Sequence, residues 1–142
     1  MKLREKITVP TPIEEAFAYT ADFDHIDQWD PGVAESTRLD EGPIGEGSRF
    51  ELLLAFGSRR IPMTYAITEY EPPSRLVLVG EGSALTAIDT ITFEARETGT
   101  DITYEADLRF KGLMALLMPF LGGVTRGVGR KAVEGLQKAL TP

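Results

Sequence analysis

The first nine residues alternate in character. Leu3, Glu5, Ile7 and Val9 stand on one parity, and Lys2, Arg4, Lys6 and Thr8 on the other. A period of two puts each set on its own face of an extended chain, so the pattern predicts a first strand with a mostly apolar face, ending at Pro10. Thr11-Pro12-Ile13-Glu14 then places a hydroxyl at the N-cap, proline at the first helical position and an acid at the third, which predicts a helix with reciprocally capped amides. Ile13, Ala16, Phe17 and Ala21 recur at helical spacing, and the segment closes near Asp22. Asp24 and Asp27 repeat the acidic capping arrangement, predicting a short second helix through His25, Ile26 and Trp29 that Pro31-Gly32 stops.

From Val33 onward the pattern becomes extended runs separated by turn signals: Glu41-Gly42-Pro43, Gly45-Glu46-Gly47, Gly57-Ser58, Pro72-Pro73, Gly82-Ser83, Thr98-Gly99 and Gly112. This spacing predicts a meander of strands. Phe50, Leu52, Leu54 and Phe56 share one face, as do Ile91 and Phe93, and Ile102, Tyr104, Ala106, Leu108 and Phe110. One side of the sheet is thus apolar and needs a cover. The remaining segment, Gly112 to Leu140, carries Leu117, Leu121, Val124, Val128, Ala132, Leu136 and Leu140 as a helical stripe, which predicts one long C-terminal helix on that side. Neither a repeat nor a linker interrupts the chain, so residues 1–142 form a single α+β domain with an apolar cavity expected between sheet and helix.

This order of elements, with Thr11-Pro12-Ile13-Glu14-Glu15-Ala16-Phe17, Trp29-Asp30-Pro31-Gly32-Val33 and Thr68-Glu69-Tyr70-Glu71-Pro72-Pro73, resembles the SRPBCC superfamily. That superfamily includes START-like lipid-transfer domains, birch-pollen-allergen-like proteins and the polyketide cyclase/dehydratase-like family. The resemblance covers essentially the whole chain. It implies a helix-grip fold: a seven-stranded, curved antiparallel sheet wrapped around the C-terminal helix, with two short helices after the first strand closing one end of the cavity. Its motifs are capping and turn devices, so they speak for fold rather than for chemistry.

Composition narrows the chemistry. With 22 acidic against 15 basic residues the net charge is -7, and no dense basic run offers a nucleic acid a site. The absence of cysteine removes thiolate nucleophiles and Cys-based zinc sites. His25 is the sole histidine, which excludes multi-histidine metal sites; neither a metal nor a cofactor is expected. Residues 1–10 lack the apolar core of a signal peptide, so a cytoplasmic protein is expected. Leu113 to Val124 is mostly apolar but too short to span a bilayer, and it contains Pro119 and Gly122-Gly123, so no stable membrane insertion is expected.

Asp89 is the polar residue that most needs an explanation, because it shares parity with Ile91 and Phe93. A carboxyl on the apolar side either stays uncharged, which suits a general acid or a group that fixes a ligand hydroxyl or amine, or finds a structural partner in a nearby Arg or Tyr; alternatively a bulge turns it outward. Trp29 follows His25 by one turn of an α-helix, so both are candidates for touching a ligand at the cavity end, against an anchoring role for Trp29 and a surface role for His25. Tyr65 and Tyr104 offer hydroxyls from apolar strand faces, or pack there as core.

The leading functional reading is binding or carriage of a small hydrophobic molecule, whether lipid, polyketide or aromatic. Its expected contacts are Trp29, His25, Phe50, Leu52, Leu54, Tyr65, Asp89, Ile91 and Tyr104, with Leu117, Leu121, Val124 and Val128 from the last helix. The alternative is a cyclase/dehydratase-like enzyme with Asp89 as candidate catalytic residue. A third reading takes the almost uniformly apolar Leu113 to Leu121 as a protein-interaction surface like that of co-chaperone members of the fold, or as a homodimer contact.

Overall fold

β1 (Lys2–Val9) follows the alternation read from its sequence: Ile7 and Val9 are buried, while Lys6 and Thr8 face solvent. The structure is a computed structural model and describes residues 1–117, 119 and 122–142, with the backbone alone at 122–126. After β1 come α1 (Ile13–Ala21) and a 3-10 helix (Phe23–Gln28). The strands β2 (Val33–Arg38), β3 (Arg49–Phe56), β4 (Arg59–Glu71), β5 (Arg75–Glu81), β6 (Leu85–Arg96) and β7 (Gly99–Phe110) follow, and α2 (Gly112–Leu117) and α3 (Gly122–Ala139) close the chain.

All seven strands pair antiparallel in the order β1-β7-β6-β5-β4-β3-β2. Each strand from β2 onward turns back on its neighbour. β1 joins the far edge beside β7, and the two helices after it carry the chain across to β2. Register shifts between Val33 and Glu35 and between Ile67 and Glu69 insert bulges, which bend and twist a sheet locally and so favour the curled, helix-gripping shape seen here.

Two capping expectations are corrected. Thr11 does not cap α1: the N-cap position is Pro12, without a side-chain hydrogen bond, and Thr11 Oγ1 donates instead to the Leu140 carbonyl at 2.5 Å. The last carbonyls of a helix lack intrahelical partners. Thr11 supplies one, tying the start of α1 to the end of α3. In the 3-10 helix the cap is Asp22, which accepts from the Asp24 amide at 3.2 Å, while Asp24 itself accepts from the Arg38 amide in β2 at 2.9 Å.

The C-terminal helix is two helices rather than one. α2 ends at Leu117 and α3 begins at Gly122, with Pro119 between them. Proline lacks the amide a continuous helix needs and clashes with the preceding turn. On α3, Val133 and Leu136 are buried, as is Leu140 just after it, and Ala132 is half-buried against the core. Val133 lies outside the stripe read from the sequence. Leu113, Leu116 and Leu117 of α2 are exposed.

The core is one cluster of interlocking rings and aliphatic side chains under α1 and α3. Phe17 packs edge-on against Tyr70 and Phe93 at 5.3 and 5.1 Å between centroids, and Phe23 sits among Trp29, Phe50 and Tyr65. α3 approaches so closely that a Cβ on Gly135 would collide with the Trp29 carbonyl oxygen. Among the described residues, no helix is long and apolar enough to cross a membrane.

Candidate functional site

Between the curled sheet and α3 lies a cavity of about 190 Å³. Leu3 and Glu5 of β1, Leu54 of β3, Ile61 and Tyr65 of β4, Leu85 and Asp89 of β6, and Tyr104, Ala106, Leu108 and Phe110 of β7 form its sheet side. Met114 of α2 and Val128, Gly129, Ala132 and Val133 of α3 line the opposite side, and Asp30 and Gly32 line it from the loop after the 3-10 helix. Most of this surface is hydrocarbon.

Strand parity puts Asp89 there. Leu85, Ala87, Asp89, Ile91 and Phe93 are all buried on one face of β6, so the outward-turning bulge does not occur. In the register Asp89 faces Ala106 and Ile91 faces Tyr104, which makes Asp89 and Tyr104 a diagonal pair across β6 and β7. A diagonal neighbour is within reach of a long aromatic side chain. The Tyr104 hydroxyl donates to Asp89 Oδ2 at 2.6 Å. Burial raises the Asp89 pKa to about 7 against the pull of that hydrogen bond, with the negative charge of Asp30 adding to the rise.

Asp30 is a second carboxyl in the same cavity. Its Oδ1 accepts from the Gly32 amide at 2.8 Å, and burial lifts its pKa to about 6 although that hydrogen bond works the other way. Its sequence context, Asp-Pro-Gly, has the form of a turn held by an Asp side chain, so nothing local distinguished it from a structural residue. Glu5 was not singled out either, although its shared parity with Leu3, Ile7 and Val9 was the signal that could have found it; it pairs across β1 and β7 with Tyr104.

Tyr65 owes its position to a glycine. Gly80 lies opposite it on β5, and a Cβ there would sit 2.5 Å from Tyr65 Cζ, so the ring occupies space that another residue at 80 would fill. Burial, then the charges of Asp89 and Asp30, push the Tyr65 phenol well above its ordinary pKa. Among the described residues its hydroxyl has no hydrogen-bond partner. Tyr104 is pushed up likewise by burial and by Asp89.

Of the residues singled out from the sequence, Leu54, Tyr65, Asp89, Tyr104 and Val128 meet at the cavity. Phe50, Leu52 and Ile91 are fully buried in the core behind it. Trp29 is buried against Phe23 and does not line the cavity, and its Nε1 has no hydrogen-bond partner among the described residues. His25 points elsewhere: its side chain is 44% exposed, with Nδ1 3.8 Å from Asp22 Oδ2. The pairing of His25 with Trp29 assumed α-helical geometry; at three residues per turn, positions four apart diverge by about 120°. Leu117 is exposed and off the cavity, and Leu121 and the side chain of Val124 lie outside the described residues. No group of three or more carboxylates or histidines is placed to hold a metal ion among the described residues.

A family model described as polyketide cyclase / dehydrase and lipid transport matches residues 1–141. The chain belongs to this family. Its fold matches a protein from Thermus thermophilus with a TM-score of 0.83 at 14% identity, covering 99% of this chain and 97% of that one. The Zhui aromatase/cyclase from a Streptomyces species matches at 0.81 and 11% identity, covering 99% and 93%. A START superfamily protein from Mycobacterium smegmatis matches at 0.75 and 19% identity, covering 99% of each chain. At these identities the likeness of this polyketide cyclase / dehydrase family member to its neighbours is one of fold. Among curated proteins, none matches its sequence.

Proposed function

We propose that the protein binds a small, mostly apolar molecule in the cavity between the sheet and α3, with the Asp89–Tyr104 pair orienting it. The observation that carries this reading is the cavity itself: about 190 Å³ of space walled mainly by hydrocarbon, with few polar groups, among them the Asp89 carboxyl held by Tyr104. A preformed pocket with few, converging polar groups is the usual form of a small-molecule site. Burying apolar ligand surface contributes roughly 25 cal/mol per Å², while the polar pair selects the pose. Isothermal titration with apolar aromatic probes tests it. Ala132→Leu, which extends a side chain into the cavity, is expected to weaken binding at least tenfold while the circular dichroism spectrum is retained; binding unaffected by that filling would count against this site.

A second reading is supported by the pKa of Asp89, raised to about 7, which suits proton transfer near neutral pH. In it the protein is a cyclase/dehydratase-like enzyme, and Asp89, held by Tyr104, moves a proton on a bound polyketone. Asp89→Asn then abolishes turnover with little change in substrate affinity. A variant that keeps turnover removes Asp89 from the mechanism.

A further inference from the structure

The chemistry of the cavity wall carries the binding reading to a ligand class. Three carboxyl residues line it, Glu5 from β1, Asp30 from the loop after the 3-10 helix and Asp89 from β6, and no lysine, arginine or histidine among the described residues does. The carboxyl oxygens are only partly satisfied. Asp89 Oδ2 takes the Tyr104 hydroxyl and Asp30 Oδ1 takes the Gly32 amide, which leaves Asp89 Oδ1 and Asp30 Oδ2 without a protein donor among the described residues. Tyr65 is an independent sign of an absent partner: it is nine-tenths buried, it lines the cavity, and its hydroxyl has no partner among the described residues.

Resting on the reading that this cavity holds a small apolar ligand, we propose that the ligand carries a protonated amine, received by Asp89 and Asp30 with the Tyr65 hydroxyl as a further acceptor. An ammonium group has three donors and no acceptor, which complements two open carboxyl oxygens and a phenol. It also supplies the positive charge that buried carboxylates need, since like charges in a dry site raise each other's energy. Burial raises the pKa of both Asp89 and Asp30, and a neighbouring ammonium would act against that rise. A metal cation is a poor alternative, because the three carboxyls do not converge as a metal-holding group. A ligand carboxylate would meet three acids.

The test uses three probes of one shape: 2-(1-naphthyl)ethylamine, 2-(1-naphthyl)ethanol and 1-naphthylacetate, titrated calorimetrically into the full chain at pH 8. The amine is expected to bind about tenfold or more tightly than the alcohol, and the acetate more weakly than the alcohol. Asp89→Asn and Asp30→Asn, each checked for folding by circular dichroism, are expected to shrink the amine-to-alcohol ratio. At pH 6.5 the heat of amine binding to the wild type should vary with the ionisation enthalpy of the buffer, because an arriving ammonium expels protons from Asp89 and Asp30; the heat of alcohol binding should not. An amine that binds no more tightly than the alcohol, or an acetate that binds best, overturns the ligand class and leaves the cavity reading standing. If neither the amine nor the alcohol binds, the cavity reading fails and this inference with it.

Discussion

The Tyr104 hydroxyl donates to Asp89 Oδ2 at 2.6 Å across β6 and β7, and this bond opposes the rise that burial imposes on the Asp89 pKa. Tyr104→Phe removes the donor and leaves the carboxyl dry. The Asp89 pKa should then climb above its value of about 7 by roughly one pH unit, since a hydrogen bond to a charged group is worth about 1.5 kcal/mol or more. Carbon-13 titration of the aspartate carboxyls reads the change, and an unmoved pKa would show that the bond does not stabilise the charged form.

Stability should fall as pH rises through the weakly acid range. Asp89 and Asp30 keep their protons in the folded chain up to about 7 and about 6, whereas in the unfolded chain they lose them near 3.8. The folded state therefore holds more protons between about pH 4 and 7, and linkage lowers unfolding free energy with each increment of pH there. Asp101, whose pKa is lowered first by the Thr8 hydrogen bond, acts in the opposite sense, losing its contribution as pH falls below the ordinary carboxylate range. Comparing the wild type with Asp89→Asn isolates the Asp89 share. The amide cannot ionise, so its stability relative to wild type should improve by about 2 kcal/mol between pH 5 and pH 8 in urea denaturation.

Gly135→Ala should be among the most damaging small substitutions. The new Cβ meets the Trp29 carbonyl oxygen, which is backbone and cannot swing aside, so α3 must move off the 3-10 helix. A loss of about 2–4 kcal/mol is expected in chemical denaturation, in the range of severe overpacking. A loss below about 0.5 kcal/mol, the scale of an ordinary surface change, would mean that α3 does not dock as closely as described.

Leu136→Ala and His25→Ala should separate core from surface. Leu136 is fully buried beneath α3, and its truncation should cost about 2–5 kcal/mol. His25 lies half-exposed beside Asp22, off the cavity, so its removal should change stability by no more than about 0.5 kcal/mol and leave probe affinity within error. Thermal denaturation and the naphthyl titrations read both effects. A His25→Ala variant with impaired binding would place that residue at the site after all.

The strands and their faces were legible because parity is a property of the extended backbone itself. Asp89 could be assigned to the buried face from Ile91 and Phe93 alone, and β6 places it there. Turn signals marked the hairpins for a similar reason, some of them resting on a local backbone need such as the left-handed conformations of Gly42 and Gly57. Helix detail was less legible. Thr11 had two acceptable uses for its hydroxyl, and only the arrival of Leu140 beside it decided between them. The pairing of His25 with Trp29 failed because a 3-10 helix and an α-helix differ by a fraction of a residue per turn, which a six-residue segment does not declare.

Sequence alone determined the apolar faces of β1, β3, β6 and β7, that an element had to cover the apolar side, and that a carboxyl at position 89 had to be reconciled with it. The tertiary structure decided which residues meet. Glu5, Asp30, Tyr65, Asp89 and Tyr104 come from four strands and a loop, and they face one cavity because bulges curl the sheet and Gly135 lets α3 dock closely on the Trp29 backbone. Parity repeats every two residues along a chain and can be read from it. Convergence depends on how far the sheet bends and where the helix comes to rest, and those follow from packing summed over the whole molecule.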